Sequence, residues 1–206
     1  MINNVYYLKS DMVNYCSFIQ NYPDGEESIM GRSRDQEWRR FDNDYTEISL
    51  ELRSNDFGKK NYQFDFSSAL SPFFVFSESG VNHLFDILNP RGQFLGVRTA
   101  SKRKKFIGYY PTNVLSECVD KEKSIYTEYP KGFMFEKLIL VKNNITDEYL
   151  FSINENISGV FVTDKFRKLV EKIGLLGFDF SKEIELSTCS SLFSSAPIFL
   201  LVLRLS

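Results

Sequence analysis

Apolar and charged positions alternate at helical spacing in the segment that follows residue 163. Four apolar residues there occupy positions i, i+3, i+4 and i+7 and so share one face of a helix: Phe166, Leu169, Val170 and Ile173. A run of valine and phenylalanine at residues 160–162 precedes them and predicts a buried strand. Residues 177–180 predict a second strand. The pattern therefore predicts a strand, a helix and a strand within residues 159–180.

The two ends of this predicted helix carry residues that are typical of helix termini. Thr163 precedes the first turn, where its hydroxyl can accept a hydrogen bond from a free backbone N–H. Asp164 places a negative charge at the positive end of the helix dipole. Gly174 follows the last turn, and glycine readily adopts the left-handed conformation that ends many helices. We therefore expect the helix to lie between Thr163 and Gly174.

The same order of patterns occurs earlier, at residues 73–97. An apolar run leads to Ser77, a predicted N-cap. The helix that follows repeats the apolar spacing given above: Val81, Leu84, Phe85 and Leu88. Pro90 disfavours helical backbone at Asn89 and predicts the end of the helix there, and residues 93–97 predict the returning strand. Because the pattern repeats while few residue identities do, an internal duplication and two independent uses of a common unit both stay open.

Shorter patterns predict the remaining strands, which we place in chain order at residues 5–9, 47–53, 62–66, 106–110, 133–141 and 149–153. Between residues 21 and 45 the chain is polar and predicts a long irregular excursion. The whole pattern predicts an α+β fold. We expect a β-rich N-terminal part, followed by two strand–helix–strand units packed on a mixed or antiparallel sheet.

The length of 206 residues predicts one domain, which we assign to residues 1–186. Within it we expect a β-rich arm at residues 1–66 and a core at residues 72–181. Residues 187–206 begin as a serine-rich linker and end in a short apolar tail. Residues 198–203 of the tail favour a final strand, and a disordered end is the alternative.

Composition narrows the class of protein. Hydrophobic residues make up 43% of the chain and aromatic residues 16%, which is typical of a folded protein. The net charge of −2 creates no positive electrostatic potential that would attract nucleic acid or a membrane surface, so we expect neither as a partner. Cys16, Cys118 and Cys189 lack the spacing of metal ligands. Since the N-terminus does not read as a secretory signal, we expect reduced thiols and a cytoplasmic protein.

The sequence offers little to support catalysis. His83 is the only histidine, and it lies within a predicted helix without a recognisable nucleophile or carboxylate partner. No zinc-ligand spacing or glycine-rich phosphate loop is present, so we expect neither an enzyme nor a cofactor. The basic run at residues 102–105 is followed by aromatic residues, a combination that can bind phosphates and stack on bases. A nucleic-acid-associated regulatory protein is therefore the alternative function.

The polar excursion at residues 21–45 is the better candidate for a binding surface. It combines aromatic residues with many charges of both signs, and Trp, Tyr and Arg are enriched among residues that anchor protein interfaces. We predict four partner-binding residues within it: Trp38, Asp42, Asp44 and Tyr45. In the alternative interpretation, Trp38 and Phe41 fold back onto the core and the charges are solvated.

Three groups of residues carry a resemblance to a known family. The first is residues 74–78, which lead into a helix that ends before residues 94–97. The second is the pair Tyr109–Tyr110, followed by residues 113–115 and 119–124. The third is residues 160–170, with Gly174 and residues 177–180. In this order they resemble a family of bacterial immunity proteins, the Imm11-like group, over about half of the chain. Residues 1–66 and the tail fit the family less well.

The resemblance implies an immunity protein of a polymorphic toxin system. Such a protein is made by the toxin-producing bacterium, and it commonly neutralises the cognate toxin by binding and blocking it. The family supplies no catalytic residues to transfer to this chain. The expected partner is therefore a toxin protein, and the expected action is non-catalytic.

Overall fold

A computed structural model describes residues 2–23, 25–42 and 45–188 and confirms the predicted α+β class. Its α-helices are α1 (Ile29–Asp35), α2 (Glu78–Leu88) and α3 (Asp164–Ile173). Its strands are β1 (Val5–Tyr7), β2 (Lys9–Ser10), β3 (Ser17–Asn21), β4 (Ile48–Arg53), β5 (Phe66–Leu70), β6 (Phe73–Ser77), β7 (Gly92–Leu95), β8 (Val97–Thr99), β9 (Phe106–Pro111), β10 (Val114–Leu115), β11 (Ile125–Tyr129), β12 (Gly132–Lys137), β13 (Ile139–Val141), β14 (Leu150–Ile153), β15 (Asn156–Thr163), β16 (Phe178–Asp179) and β17 (Glu183–Ser187).

The largest sheet has six strands in the order β10-β14-β15-β1-β17-β13. Strand β1 lies near its middle and runs antiparallel to both neighbours, with Val5 opposite Thr163 on one side and Ile184 on the other. The side chain of Val5 is fully buried. The first residues of the chain therefore complete the main sheet.

A second sheet, in the order β5-β6-β9-β7, carries α2. Because β6 and β7 both run antiparallel to β9, they are parallel to each other, and α2 is the crossover between them. Ser77 is the predicted N-cap, and its hydroxyl accepts a hydrogen bond from the Gly80 N–H at 3.0 Å. Of the predicted apolar face, Val81, Leu84 and Leu88 are buried, whereas Phe85 is 46% exposed.

Helix α3 also has the predicted bounds, and Gly174 ends it with a φ of +79°. The predicted role of Thr163 is wrong, however. Its side chain makes no capping bond, and its hydroxyl donates instead to the carbonyl oxygen of Glu148 at 2.7 Å. Strand β16 follows the helix but pairs with β2, outside the sheet that contains β15.

Two further expectations need correction. The strand predicted at residues 62–66 begins only at Phe66, because the backbone N–H of Asp65 donates to the Leu176 carbonyl oxygen outside any sheet. The excursion at residues 21–45 contains α1, whose N-cap Ser28 accepts from the Gly31 N–H at 3.2 Å. The predicted tail strand at residues 198–203 lies outside the described residues. Within the described residues, no helix has the length and apolar character needed to cross a membrane.

Candidate partner-binding site

The clearest candidate for a binding surface is the β-hairpin formed by β11 and β12, which pair only with each other within the described sheets. In its register, Thr127 lies opposite Met134, and Tyr126 lies opposite Phe135. Residues directly opposite each other share a face, and successive residues alternate between faces. The hairpin therefore has two chemically distinct faces.

One face of the hairpin carries three partly buried aromatic side chains, together with the exposed Glu128 opposite Phe133. The rings of Tyr126 and Phe133 stack with their centroids 4.5 Å apart and an interplanar angle of 5°. Phe135 lies beside both, and Lys121 Nζ lies 5.2 Å from the centroid of Phe133. This stack covers aromatic surface and favours a single hairpin conformation.

The other face is apolar and open to solvent. Ile125 is 53% exposed, Tyr129 54% and Met134 57%. Thr127, also exposed, lies between Ile125 and Tyr129 on the same strand face. Contiguous exposed apolar side chains are uncommon on soluble monomers and often mark a surface that a partner covers. We call Ile125, Thr127, Tyr129 and Met134 the outer hairpin face.

Polar contacts with other elements help to hold the hairpin against the rest of the protein. The backbone N–H of Phe133 donates to the carbonyl oxygen of Glu155 at 2.6 Å. Near the tip, Lys131 Nζ lies 2.8 Å from Asp35 Oδ1 at the end of α1. The hydrogen bond and charge of Lys131 lower the pKa of Asp35, and the same pair raises the pKa of Lys131. The contact places the hairpin tip beside the segment in which the sequence predicts an interface.

The structure describes three of the four residues predicted for that interface, and their environments differ. Trp38 is only 4% exposed and packs in the core, as in the alternative interpretation, so it offers almost no surface to a partner. Tyr45 is half-buried and donates its hydroxyl to the Gly96 carbonyl oxygen at 2.7 Å, and burial is the main cause that raises its pKa to about 12. Asp42 is exposed. Asp44 lies outside the described residues.

The outer hairpin face was missed at the level of sequence. The alternation of Ile125, Thr127 and Tyr129 indicates a strand, but it lies within a run of polar residues. Residues 133–141 read as one strand, whereas the structure divides them between β12 and β13. The turn at Pro130 and Lys131, which carries a signal for a hairpin, could have located the pair.

His83 and two lysines of the basic run at residues 102–105 contact other groups of the protein. His83 is exposed on α2, with Nδ1 2.8 Å from the Ser79 carbonyl oxygen. In the basic run, Lys104 Nζ contacts Asp65 Oδ1 at 2.7 Å, and Lys105 Nζ lies 3.8 Å from Glu78 Oε1. Among residues 2–23, 25–42 and 45–188, no cluster of three or more His, Cys, Asp or Glu side chains could hold a metal ion.

These features define an α+β protein that exposes a β-hairpin with an apolar outer face. No protein-family model matches the chain, and no characterised protein gives a significant sequence match. The resemblance to bacterial immunity proteins therefore stays a prediction.

Proposed function

We propose that this chain is an immunity protein that binds a cognate toxin protein in the cytoplasm and blocks it without catalysing a reaction. The observation that carries the proposal is the outer hairpin face, where Ile125, Tyr129 and Met134 are each more than half exposed. The order of elements over residues 72–181 resembles immunity proteins and indicates the class of partner.

The hairpin is suited to binding because its conformation is already restricted. The stack of Tyr126 on Phe133 and the bond from Phe133 to Glu155 hold it in place before any partner arrives. A surface ordered in advance loses little conformational entropy on binding, so more of the contact energy appears as affinity. Tyrosine and methionine are both enriched in protein interfaces.

Polar residues border the apolar face. Lys131 is exposed at the tip, and Lys137, opposite Ile125 in the register, pairs with Glu185 at 2.8 Å at the base of the hairpin. A polar rim around an apolar centre is the usual arrangement of protein interfaces. Charges of both signs at the rim would orient a partner rather than contribute most of the affinity.

Co-expression with the toxin encoded beside the gene tests the proposal. The wild-type protein is expected to restore growth and to elute with the toxin in one complex on size exclusion. Failure of both would overturn the proposed function.

A pair of variants tests the surface. Met134→Glu places a charge on the outer hairpin face and should weaken the complex at least about thirtyfold, which corresponds to about 2 kcal/mol for an interface anchor. Phe57→Glu makes the same kind of change at a side chain that is 73% exposed in the loop between β4 and β5, and it should leave affinity unchanged. Equal affinity of Met134→Glu and wild type would exclude the hairpin while leaving the immunity function standing.

A further inference from the structure

A groove of about 440 Å³ lies between strands β1 and β2, the turn from β5 to β6 and the beginning of β15. Its volume falls within the usual range for small-molecule sites. Leu8 and Val160 contribute apolar surface, and Ser10 and Ser68 contribute hydroxyl groups. The groove is remote in sequence from the hairpin and has a different chemical character.

Two lysines from distant parts of the chain converge at this groove. Lys182 Nζ lies 4.3 Å from the centroid of the Tyr7 ring, and Lys9 Nζ lies 5.8 Å from the same centroid. All three residues line the groove, and no carboxylate does. In the described part of the chain, every ion pair within 4 Å involves other cations.

Both lysines are exposed, and the charge of Lys9 acts unfavourably on Lys182. Partial burial is the larger cause that lowers the pKa of Lys182, and the positive charge of Lys9 lowers it further. An anion bound beside both lysines would stabilise their charged forms and offset the repulsion between them. The groove is therefore preorganised to gain from a bound negative charge.

Glu136, Glu183 and Glu185 do not line this groove. They line a separate groove of about 250 Å³ that shares Tyr7 and Lys182 with the first. Of these, Glu185 pairs with Lys137 at 2.8 Å, and Glu183 accepts a hydrogen bond from the Asn4 side chain. No carboxylate of the described residues lies within 4 Å of Lys182 Nζ, as the ion pairs above show.

A pair of serines adds a hydrogen-bond donor. The N–H of Ser10 donates to Ser68 Oγ at 2.8 Å, the N–H of Ser68 donates to Ser10 Oγ at 3.1 Å, and the two hydroxyl oxygens are 3.0 Å apart. Only one of the two hydroxyl hydrogens can occupy the bond between the oxygens. The other hydrogen has no acceptor among the hydrogen bonds of the described residues, and both serines border the groove.

We propose that this groove binds a dianionic phosphate group between Lys9 and Lys182, with the remaining hydroxyl hydrogen of the Ser10–Ser68 pair as a further donor. Two ammonium groups neutralise both charges of a dianion, so they favour a phosphate over a carboxylate, which carries a single charge. The remaining volume accommodates a small organic group, so the ligand is inorganic phosphate or a small phosphate monoester. This site is independent of the proposed toxin partner, and neither proposal depends on the other.

Titration of the full-length protein with inorganic phosphate at pH 8, followed by NMR chemical shifts at constant ionic strength, tests the site. We expect saturable binding in the millimolar range, with shifts at Tyr7 and Lys182. The double variant Lys9→Gln/Lys182→Gln should bind at least about tenfold more weakly. Lys60→Gln/Lys172→Gln carries the same net charge, changes exposed lysines outside the groove lining, and should bind like wild type.

Two further probes identify the ligand. Glycerol 3-phosphate should bind more tightly than inorganic phosphate if the natural ligand is an ester, and equally if it is the free ion. Acetate should bind at least about tenfold more weakly than phosphate, since it carries one charge. Absence of saturable phosphate binding, equal binding by the groove double variant, or equal affinity for acetate and phosphate would each overturn the proposal.

Discussion

The backbone N–H of Trp38 donates to the hydroxyl oxygen of Tyr110 at 2.8 Å, and the two rings stack at an angle of 16°. The same hydroxyl donates to the carbonyl oxygen of Ser33 at 2.9 Å. Glu37 and Trp38 both have positive φ angles, +47° and +66°, which are uncommon for residues other than glycine. One buried hydroxyl on β9 therefore holds the turn that folds Trp38 onto the core.

Removal of the Tyr110 hydroxyl should lower the stability of the folded protein. Tyr110→Phe leaves the Trp38 N–H and the Ser33 carbonyl oxygen without this partner in a buried environment, so we expect a loss of about 1–3 kcal/mol in the free energy of unfolding. Urea denaturation followed by circular dichroism measures it. Tyr129→Phe removes the same atom from an exposed side chain and should change stability by less than about 0.5 kcal/mol. Equal stability of the two variants would contradict the role of Tyr110.

The end of α3 allows a test of backbone conformation alone. Gly174 has a φ of +79°, and a Cβ built on it meets no atom within 4 Å. Gly174→Ala should therefore destabilise the protein by about 1 kcal/mol through the left-handed conformation and not through a clash. Gly174→Asn should cost less, because asparagine tolerates this conformation better. Thermal unfolding of both variants compares them, and an alanine variant as stable as wild type would refute the explanation.

Asp65 connects three parts of the structure and should make stability depend on pH. Its carboxylate accepts bonds from the Ser77 hydroxyl at 2.7 Å and the Leu176 N–H at 3.0 Å, and it pairs with Lys104. Burial acts to raise its pKa, but these hydrogen bonds and the lysine charge outweigh burial and lower the pKa below 3.8. A depressed folded-state pKa adds stability that is present above the unfolded value and is lost as pH falls through the folded value.

Asp65→Asn should consequently lower the free energy of unfolding by about 1–3 kcal/mol at pH 7, with a smaller difference below about pH 4. Urea denaturation between pH 3 and 7 measures the difference. Asp56→Asn, at an exposed position, is the control and should follow wild type at every pH. A difference between Asp65→Asn and wild type that grows toward low pH would show that the sign is wrong.

The buried thiols should resist modification. Burial is the main cause that raises the pKa of Cys118 to about 12, and the charges of Glu155 and Glu117 raise it further. Burial also raises the pKa of Cys16. In a Cys189→Ser protein, which isolates these two thiols, Cys118 should react with a disulfide reagent at pH 8 about a thousandfold more slowly than in urea, because the thiolate is the reactive form. Rapid labelling of the folded protein at Cys118 would contradict its burial.

Local sequence patterns predicted the bounds of α2 and α3, the Ser77 cap and the Gly174 stop, because these determinants lie within one or two turns of each helix. Ser77 needs only the N–H of Gly80, three residues away, and Gly174 needs only its own freedom of rotation. Helix α1 was missed because it has seven residues and lacks a regular apolar face. A helix that short depends on tertiary contacts for its stability.

The candidate binding surface could be predicted less well than the fold. An aromatic residue among charges looks the same in the sequence whether it anchors a partner or packs inward, so Trp38 could not be placed. The outer hairpin face became visible only when the register set Thr127 opposite Met134. Sequence spacing alone leaves the register of two strands open, because a shift of one residue exchanges their faces.

By itself, the sequence determined the α+β class, the bounds of α2 and α3, and the positions of several strands, because these follow from short-range periodicity and capping. The tertiary structure decided where long-range partners meet. It placed β1 near the centre of the main sheet, directed the Thr163 hydroxyl to Glu148, buried Trp38 against Tyr110, and brought Lys182 to the Tyr7 ring. Each of these contacts joins residues distant in sequence, and their energies depend on a geometry that no local pattern encodes.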